Sequence, residues 1–177
     1  MVSSPDLGAR KMKSDERLER FKVAQDSVHM GFEVALHEIQ TGEKRGHWIW
    51  YVFPQLSGLG SSGLSHTFAI ADKHEAAEFL RDPKLRSRLQ TITAAVAAQL
   101  RTRKVPSLRT LMGSDTDARK VVSSLTLFGS VAKELYTRDG LADCRALVEG
   151  TDEVLAIAAS QGYPACEFTV RTLQGDE

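Results

Sequence analysis

Apolar residues in this chain recur at three- and four-residue intervals in segment after segment, and nowhere do they alternate strictly with polar ones. That spacing gathers apolar side chains on one stripe of a helix and leaves no strand with an inward face. The clearest run is Leu85, Leu89, Ile92, Ala95, Val96 and Leu100, behind Asp82-Pro83, which supplies an acidic N-cap and a proline at the first helical position. Val28, Phe32, Ala35, Leu36 and Ile39 form a similar face over 27–41, with Gly42 as C-cap. Asp72 caps a helix carrying Ala76, Ala77, Phe79 and Leu80. A cap cluster at 114–117 precedes a helix over 118–132, where Val121, Leu125, Phe128 and Val131 face inward and Val122, Leu127 and Ala132 widen the buried arc. Ser14 opens an earlier helix bearing Leu18, Phe21, Val23 and Ala24. Short helices are expected at 108–112 and 165–173, and a long one at 141–159 with a weak point at Gly150. About seven helices with short connections predict an all-α, single-domain bundle over 15–174. The polar lead, residues 1–14, is expected to be flexible.

One stretch breaks the pattern. Gly46-His47-Trp48-Ile49-Trp50-Tyr51-Val52-Phe53-Pro54 holds both tryptophans of the chain. Its composition suits either a strand or one to two turns of helix, and Pro54 stops it. Glycines and serines then make 55–65 a loop, without the Gly-Lys-Ser/Thr of a phosphate loop. Trp48 and Trp50 are two apart, so they cannot both point into the same core site. One serves packing, and the other is free to line a pocket or the surface.

The candidate functional residues fall in two clusters. In the first, His47 is the acid/base candidate. Lys44 and Arg45 are anion contacts, Trp48 or Trp50 is a stacking wall, and Gln55 offers an amide that donates and accepts. Each also has a purely structural reading: a histidine bonded to a carbonyl, tryptophans in the core, a glutamine tying down its loop. In the second cluster Lys120, Ser123 and Ser124 share a helix side and could hold a phosphate or carboxylate. Equally, the hydroxyls could bond back to the preceding turn, leaving Lys120 in solvent. His29, His37, His66 and His74 have no metal-ligand spacing, and no metal or cofactor is implied. Cys144 and Cys166 lack zinc or CxxC spacing and read as small buried residues of a reduced protein.

Charge and hydropathy narrow the classes further. Lysine plus arginine (23) equals aspartate plus glutamate (23). A nucleic-acid role is therefore disfavoured unless Lys44, Arg45, Arg101, Arg103 and Lys104 gather on one face. No run approaches the length of a membrane span. The N-terminus has basic residues but no apolar core of a secretory signal, so a cytoplasmic protein is expected.

The residues also carry a resemblance. Leu18-Glu19-Arg20-Phe21, Ala24-Gln25, Glu38-Ile39, then Lys44-Arg45-Gly46-His47-Trp48-x-Trp50 and Phe53-Pro54-Gln55-Leu56-x-Gly58-Leu59-Gly60 resemble the family called domain of unknown function eighteen-ten. The likeness continues through Asp82-Pro83-x-Leu85, Arg88-Leu89, Gly113-Ser114, Lys120 and Ser123 to Phe128. It reaches Gly162, Cys166 and Thr169, so it covers about residues 16 to 173. It implies an all-helical fold and a prokaryotic-type cytoplasmic protein, but no activity. Where the family usually has Ser or Thr before the histidine, this chain has Gly46. Where the family usually has Arg before the serine pair, this chain has Val122. The segment from Phe128 to Gly162 fits loosely.

Two functions from different classes follow. The first is a binding protein for a small anionic or nucleotide-like molecule, with its pocket around His47; the sequence does not decide whether it is also an enzyme. The second is a non-enzymatic interaction module, homodimeric in its simplest form, that uses the 46–65 aromatic and glycine loop as a contact surface.

Overall fold

The computed structural model describes residues 6–102 and 104–175, with side chains from residue 16 onward. The described residues form α1 (Asp6–Gln25), α2 (Phe32–Thr41), α3 (Ile49–Val52), α4 (Gly63–Thr67) and α5 (Lys73–Arg81). These are followed by α6 (Pro83–Thr102), α7 (Leu108–Met112), α8 (Asp115–Thr137), a 3-10 turn (Ala142–Cys144), α9 (Arg145–Ser160) and α10 (Glu167–Gly175). The fold is all-α, as the periodicity predicts. More helices appear than the seven expected because the aromatic and glycine-rich stretches form single turns of their own.

α8 is the axis. It packs against α5, α7, α9 and α10, while α6 packs against α2, α5 and α9. Every residue from Val121 to Phe128 is buried. A helix enclosed on all sides should be apolar all round, yet this one carries Ser123, Ser124 and Thr126 in its enclosed middle. Opposite Gly129 the neighbouring helix comes close. A Cβ there would lie 2.9 Å from the Thr151 hydroxyl and 3.1 Å from its Cβ, so only glycine permits this α8–α9 approach.

The helix ends follow the cap chemistry. Asp72 accepts the Glu75 N–H at 2.8 Å and Asp82 accepts the Leu85 N–H at 3.0 Å. Gly42 and Gly113 end α2 and α7 at φ +92° and +76°, a conformation that disfavours any side chain. Other boundaries differ from the periodicity. The backbone is already helical at Asp6, so Ser14 lies inside α1 instead of capping it; residues 1–5 of the expected lead lie outside the described residues. α2 begins at Phe32 and not at 27, because the chain turns tightly at Gly31, where a Cβ would sit 2.1 Å from the Ser27 carbonyl oxygen. Asp26 does not cap α2; its carboxylate takes Lys84 and Arg88, both at 2.7 Å. α8 runs on to Thr137, beyond the expected 132, and the helix expected from 141 starts as the 3-10 turn.

Of Gly46–Val52, residues 46–48 bend and Ile49–Val52 form one turn of helix. The Phe53 N–H closes the single turn of α3 on the Ile49 carbonyl at 3.0 Å. Trp48, Ile49, Tyr51, Val52 and Phe53 are all buried. The loop beyond Pro54 is pinned at Leu56, which makes one parallel bridge to Ile70. Its two bonds run from the Ser57 N–H to the Ile70 carbonyl and from the Ile70 N–H to the Gln55 carbonyl, each 2.8 Å. Within the supposed loop, Ser62 caps α4 by accepting the Ser65 N–H. No described helix is long and apolar enough to cross a membrane.

Candidate functional site

The site is built outward from a carboxylate in the last turn of α2. Glu38 accepts the backbone N–H groups of Arg45 (2.8 Å) and Gly46 (2.9 Å) and the indole N–H of Trp48 (2.7 Å). Burial alone would raise its carboxyl; the Arg45 and Gly46 amides, the indole and the nearby Lys44 ammonium outweigh it and hold the group below its ordinary value. Glycine suits position 46, since a Cβ would meet Trp48 Cδ1 at 2.8 Å and Glu38 Oε1 at 3.3 Å.

Lys44 carries the arrangement across to α8. Its Nζ donates to the Gly46 carbonyl at 2.6 Å and pairs with Asp117 Oδ2 at 2.7 Å, and the other Asp117 oxygen takes Lys120 Nζ at 2.9 Å. These side chains are 6% (Lys44), 16% (Asp117) and 15% (Lys120) exposed, so water screens the row poorly. Burial raises the Asp117 carboxyl, but bonds from Lys44 and Lys120 bring it below the usual carboxylate range. The result is a row of alternating charge, Glu38, Lys44, Asp117, Lys120, running from behind the aromatic turn to the α8 surface.

The row ends at a cleft of about 720 Å³. One wall is α3 and the loop after it, with Trp50, Gln55, Leu59 and residues 60–62. A second is α8, with Thr116, Arg119, Lys120, Val122 and Ser123. The third is the 163–167 segment leading into α10. Lys120 Nζ lies 3.5 Å from the centre of the Trp50 ring, and the Arg119 guanidinium stands 5.5 Å from that of Tyr163. Tyr163 is anchored by donating its hydroxyl proton to Asp115 at 2.8 Å. Leu59, Val122 and Pro164 give the walls an apolar share. This lining suits a small molecule with a flat or apolar body and an anionic end.

The structure therefore joins parts of both sequence clusters, Trp50 and Gln55 with Lys120 and Ser123. Trp48 is the core tryptophan and Trp50 the cleft tryptophan. Lys44 stands behind the wall as a support for Lys120. Ser124 is fully buried, its hydroxyl without a partner among the described residues, and it does not line the cleft. Arg45 is exposed and pairs with Glu43 at 2.9 Å. His47 is exposed and outside the cleft lining, so the pocket lies away from the histidine on which the sequence reading centred it. Of the cations a nucleic-acid face would need, Lys44 is buried, Arg45 and Arg101 are paired with acids, and Arg103 lies outside the described residues. Among the described residues no group of three or more His, Cys, Asp or Glu side chains could hold a metal ion.

Sequence reasoning missed Glu38, Asp117, Arg119, Tyr163 and Cys166. Asp117 read as a helix cap because it follows Ser114, yet the Ser114 side chain does the capping and frees the carboxylate for the two lysines. For the third wall the available signal was the Gly162-Tyr163-Pro164 turn, which puts the residues after it at a helix start.

Comparison with known proteins agrees with this architecture and is silent on activity. A conserved hypothetical protein, Rv1873 from Mycobacterium tuberculosis, has a similar solved structure, with 33% identity and a TM-score of 0.65. The alignment covers 89% of this chain and 96% of that one. No curated protein matches. A family model described as Protein of unknown function (DUF1810) matches residues 15–144, well over half of the chain, and the chain belongs to that family.

Proposed function

We propose that the protein binds a small anionic, nucleotide-like molecule in the cleft between the aromatic loop, α8 and the 163–167 segment. The observation that carries this reading is the position of Lys120. An ammonium has three donors. Asp117 takes one and the Trp50 face a second, and the group itself belongs to the cleft lining. A largely buried cation at the end of a charge row, on the wall of an open cleft, favours an anionic partner there. Trp50 and Tyr163, with Leu59, Val122 and Pro164, suit the planar, less polar remainder of such a ligand. The proposed setting is the cytoplasm, with both cysteines as free thiols.

The interaction-module reading has less support. Of the aromatic side chains in the 46–65 stretch, Trp48, Tyr51 and Phe53 are taken by the core and Trp50 lines the cleft.

The test is thermal denaturation with AMP, ADP and inorganic phosphate at millimolar concentration. ADP is expected to raise the melting temperature of the parent and of His47→Ala alike, and to leave Lys120→Met unmoved. No shift with any of the three, or equal shifts in parent and Lys120→Met, would sink the proposal.

A further inference from the structure

Among the described residues, each glutamine that is at least half-buried commits its amide to a backbone group, with one exception. Gln25 donates to the Tyr51 carbonyl at 2.7 Å and Gln99 to the Gln40 carbonyl at 2.6 Å. Gln90 donates to the Asp143 carbonyl, and Gln161 accepts the Leu108 N–H at 2.8 Å. The exception is Gln55, half-buried, whose amide bonds to no described residue. Its loop does not depend on that amide. The backbone does the tethering, through the Ile70 N–H on the Gln55 carbonyl and the Ser57 N–H on the Ile70 carbonyl, each 2.8 Å. The same bridge sets the direction of the side chain. Leu56, the bridged residue, is 3% exposed and packs into the core, so the residue before it points the opposite way. That way lies the cleft, where Gln55 and Trp50 share a wall.

We propose that Gln55 is the specificity-determining residue of the cleft, and that it selects an adenine ring as the planar part of the ligand. The proposal rests on the binding reading for the anion at Lys120 and adds the identity of the rest of the molecule. A primary amide offers a donor and an acceptor side by side, and it can turn over to present them in either order. Adenine answers that pair, with its 6-amino donor beside the N7 acceptor. A ring edge with two neighbouring donors, as guanine has at N1 and N2, is answered by a carboxylate. The one carboxylate among the described lining residues, Glu167, is exposed and paired with Arg171. The cleft, at about 720 Å³, has room for a whole nucleotide. Because the Gln55 amide holds no partner in the protein, a ligand engages it without breaking an internal bond. Its backbone is fixed on both sides, so little freedom is lost when the ring arrives. A ring without the amino group leaves the amide carbonyl unpaired in the bound complex, and that loss is the basis of discrimination.

The test is titration calorimetry on the full chain with ADP and with the 5′-diphosphate of purine riboside, which lacks only the 6-amino group. The parent is expected to bind ADP about tenfold more tightly than the analogue. Gln55→Leu, of similar size and without the amide, is expected to bring ADP down to the affinity of the analogue and to leave the analogue unmoved. Lys120→Met is expected to weaken both ligands and preserve their ratio, since the anion is common to them. Equal affinities in the parent overturn the role of Gln55 and leave the anion reading standing. That comparison needs no variant, so it decides the matter even where Gln55→Leu does not fold by circular dichroism. A preference for ADP that survives in folded Gln55→Leu also overturns the proposal, because another group would then read the amino group. Failure of both ligands to bind the parent overturns the binding reading and the selectivity together.

Discussion

Glu38 shows how much one half-buried carboxylate can organise. Its three N–H donors come from consecutive parts of one loop, so it fixes the path from α2 into α3 and, through Trp48, the core behind the cleft. Hydrogen bonds to a charged group each contribute about 1.5–3 kcal/mol. Glu38→Gln keeps the shape but loses the charge, and is expected to destabilise the protein by about 2 kcal/mol near neutral pH in urea denaturation. The sign with pH follows from the depressed carboxyl. The contribution is complete above the unfolded value, about 4.3, and is lost as pH falls through the lower folded value. The difference between parent and variant should therefore shrink progressively below about pH 4. A difference that stays constant down to pH 2.5 would show that the charge does not matter. None of this was legible in the sequence, where Glu38 looks like any exposed helix acid. What was legible was that Trp48 and Trp50 must part company, a consequence of spacing alone. The identity of the core tryptophan depended on where Glu38 lies, which spacing does not reveal.

At the scale of elements, the recurring motifs turn out to be joints. Arg20 on α1 donates to the Ala69 carbonyl and to Glu75 Oε1, both at 2.8 Å, and the second Glu75 oxygen accepts the Ala71 N–H at 2.7 Å. The Glu75 side chain is 4% exposed, so the pair clamps α1 to the entry of α5. Removing one partner of such a pair leaves an uncompensated buried charge, whereas removing both charges is far milder. Arg20→Met should therefore cost about 3 kcal/mol, and adding Glu75→Gln should recover part of it. Additive losses in the double mutant would mean that the two residues act separately. Helix existence was legible here because the apolar spacing is regular and the caps at Asp72, Asp82 and Ser114 are chemically explicit. Boundaries were less so. The start of α2 is set by Gly31 fitting under the Ser27 carbonyl, a contact between backbones that no side-chain pattern encodes. α8 was ambiguous in another way: its serine pair suited either an anion site or hydroxyls bonded to the preceding turn, and the spacing does not reveal that the middle of this helix is enclosed all round.

For the whole molecule, the decisive fact is that the cleft walls come from three segments far apart in the chain, near residues 50–62, 116–123 and 163–167. Only the complete fold brings them together, which is why the sequence offered two polar clusters and the aromatic turn but centred the pocket on His47, outside these walls. The unfolded chain holds no site, so a ligand spanning these walls binds the native state alone and its binding free energy adds to global stability. At a hundredfold excess over Kd the gain is about 2.7 kcal/mol. For a domain of this size each kcal/mol moves the melting temperature by about 2–4 °C, so saturating ADP should raise it by roughly 5–10 °C. Because the surface exposed on unfolding barely changes, the denaturant midpoint should rise while the slope stays the same. Amide exchange should slow in the loop after α3 and in the turn before α10, the walls that do not belong to the central helix. Protection confined to one segment would place the ligand on a single wall. A raised midpoint with a changed slope would mean that it reshapes the fold instead of filling a site already formed.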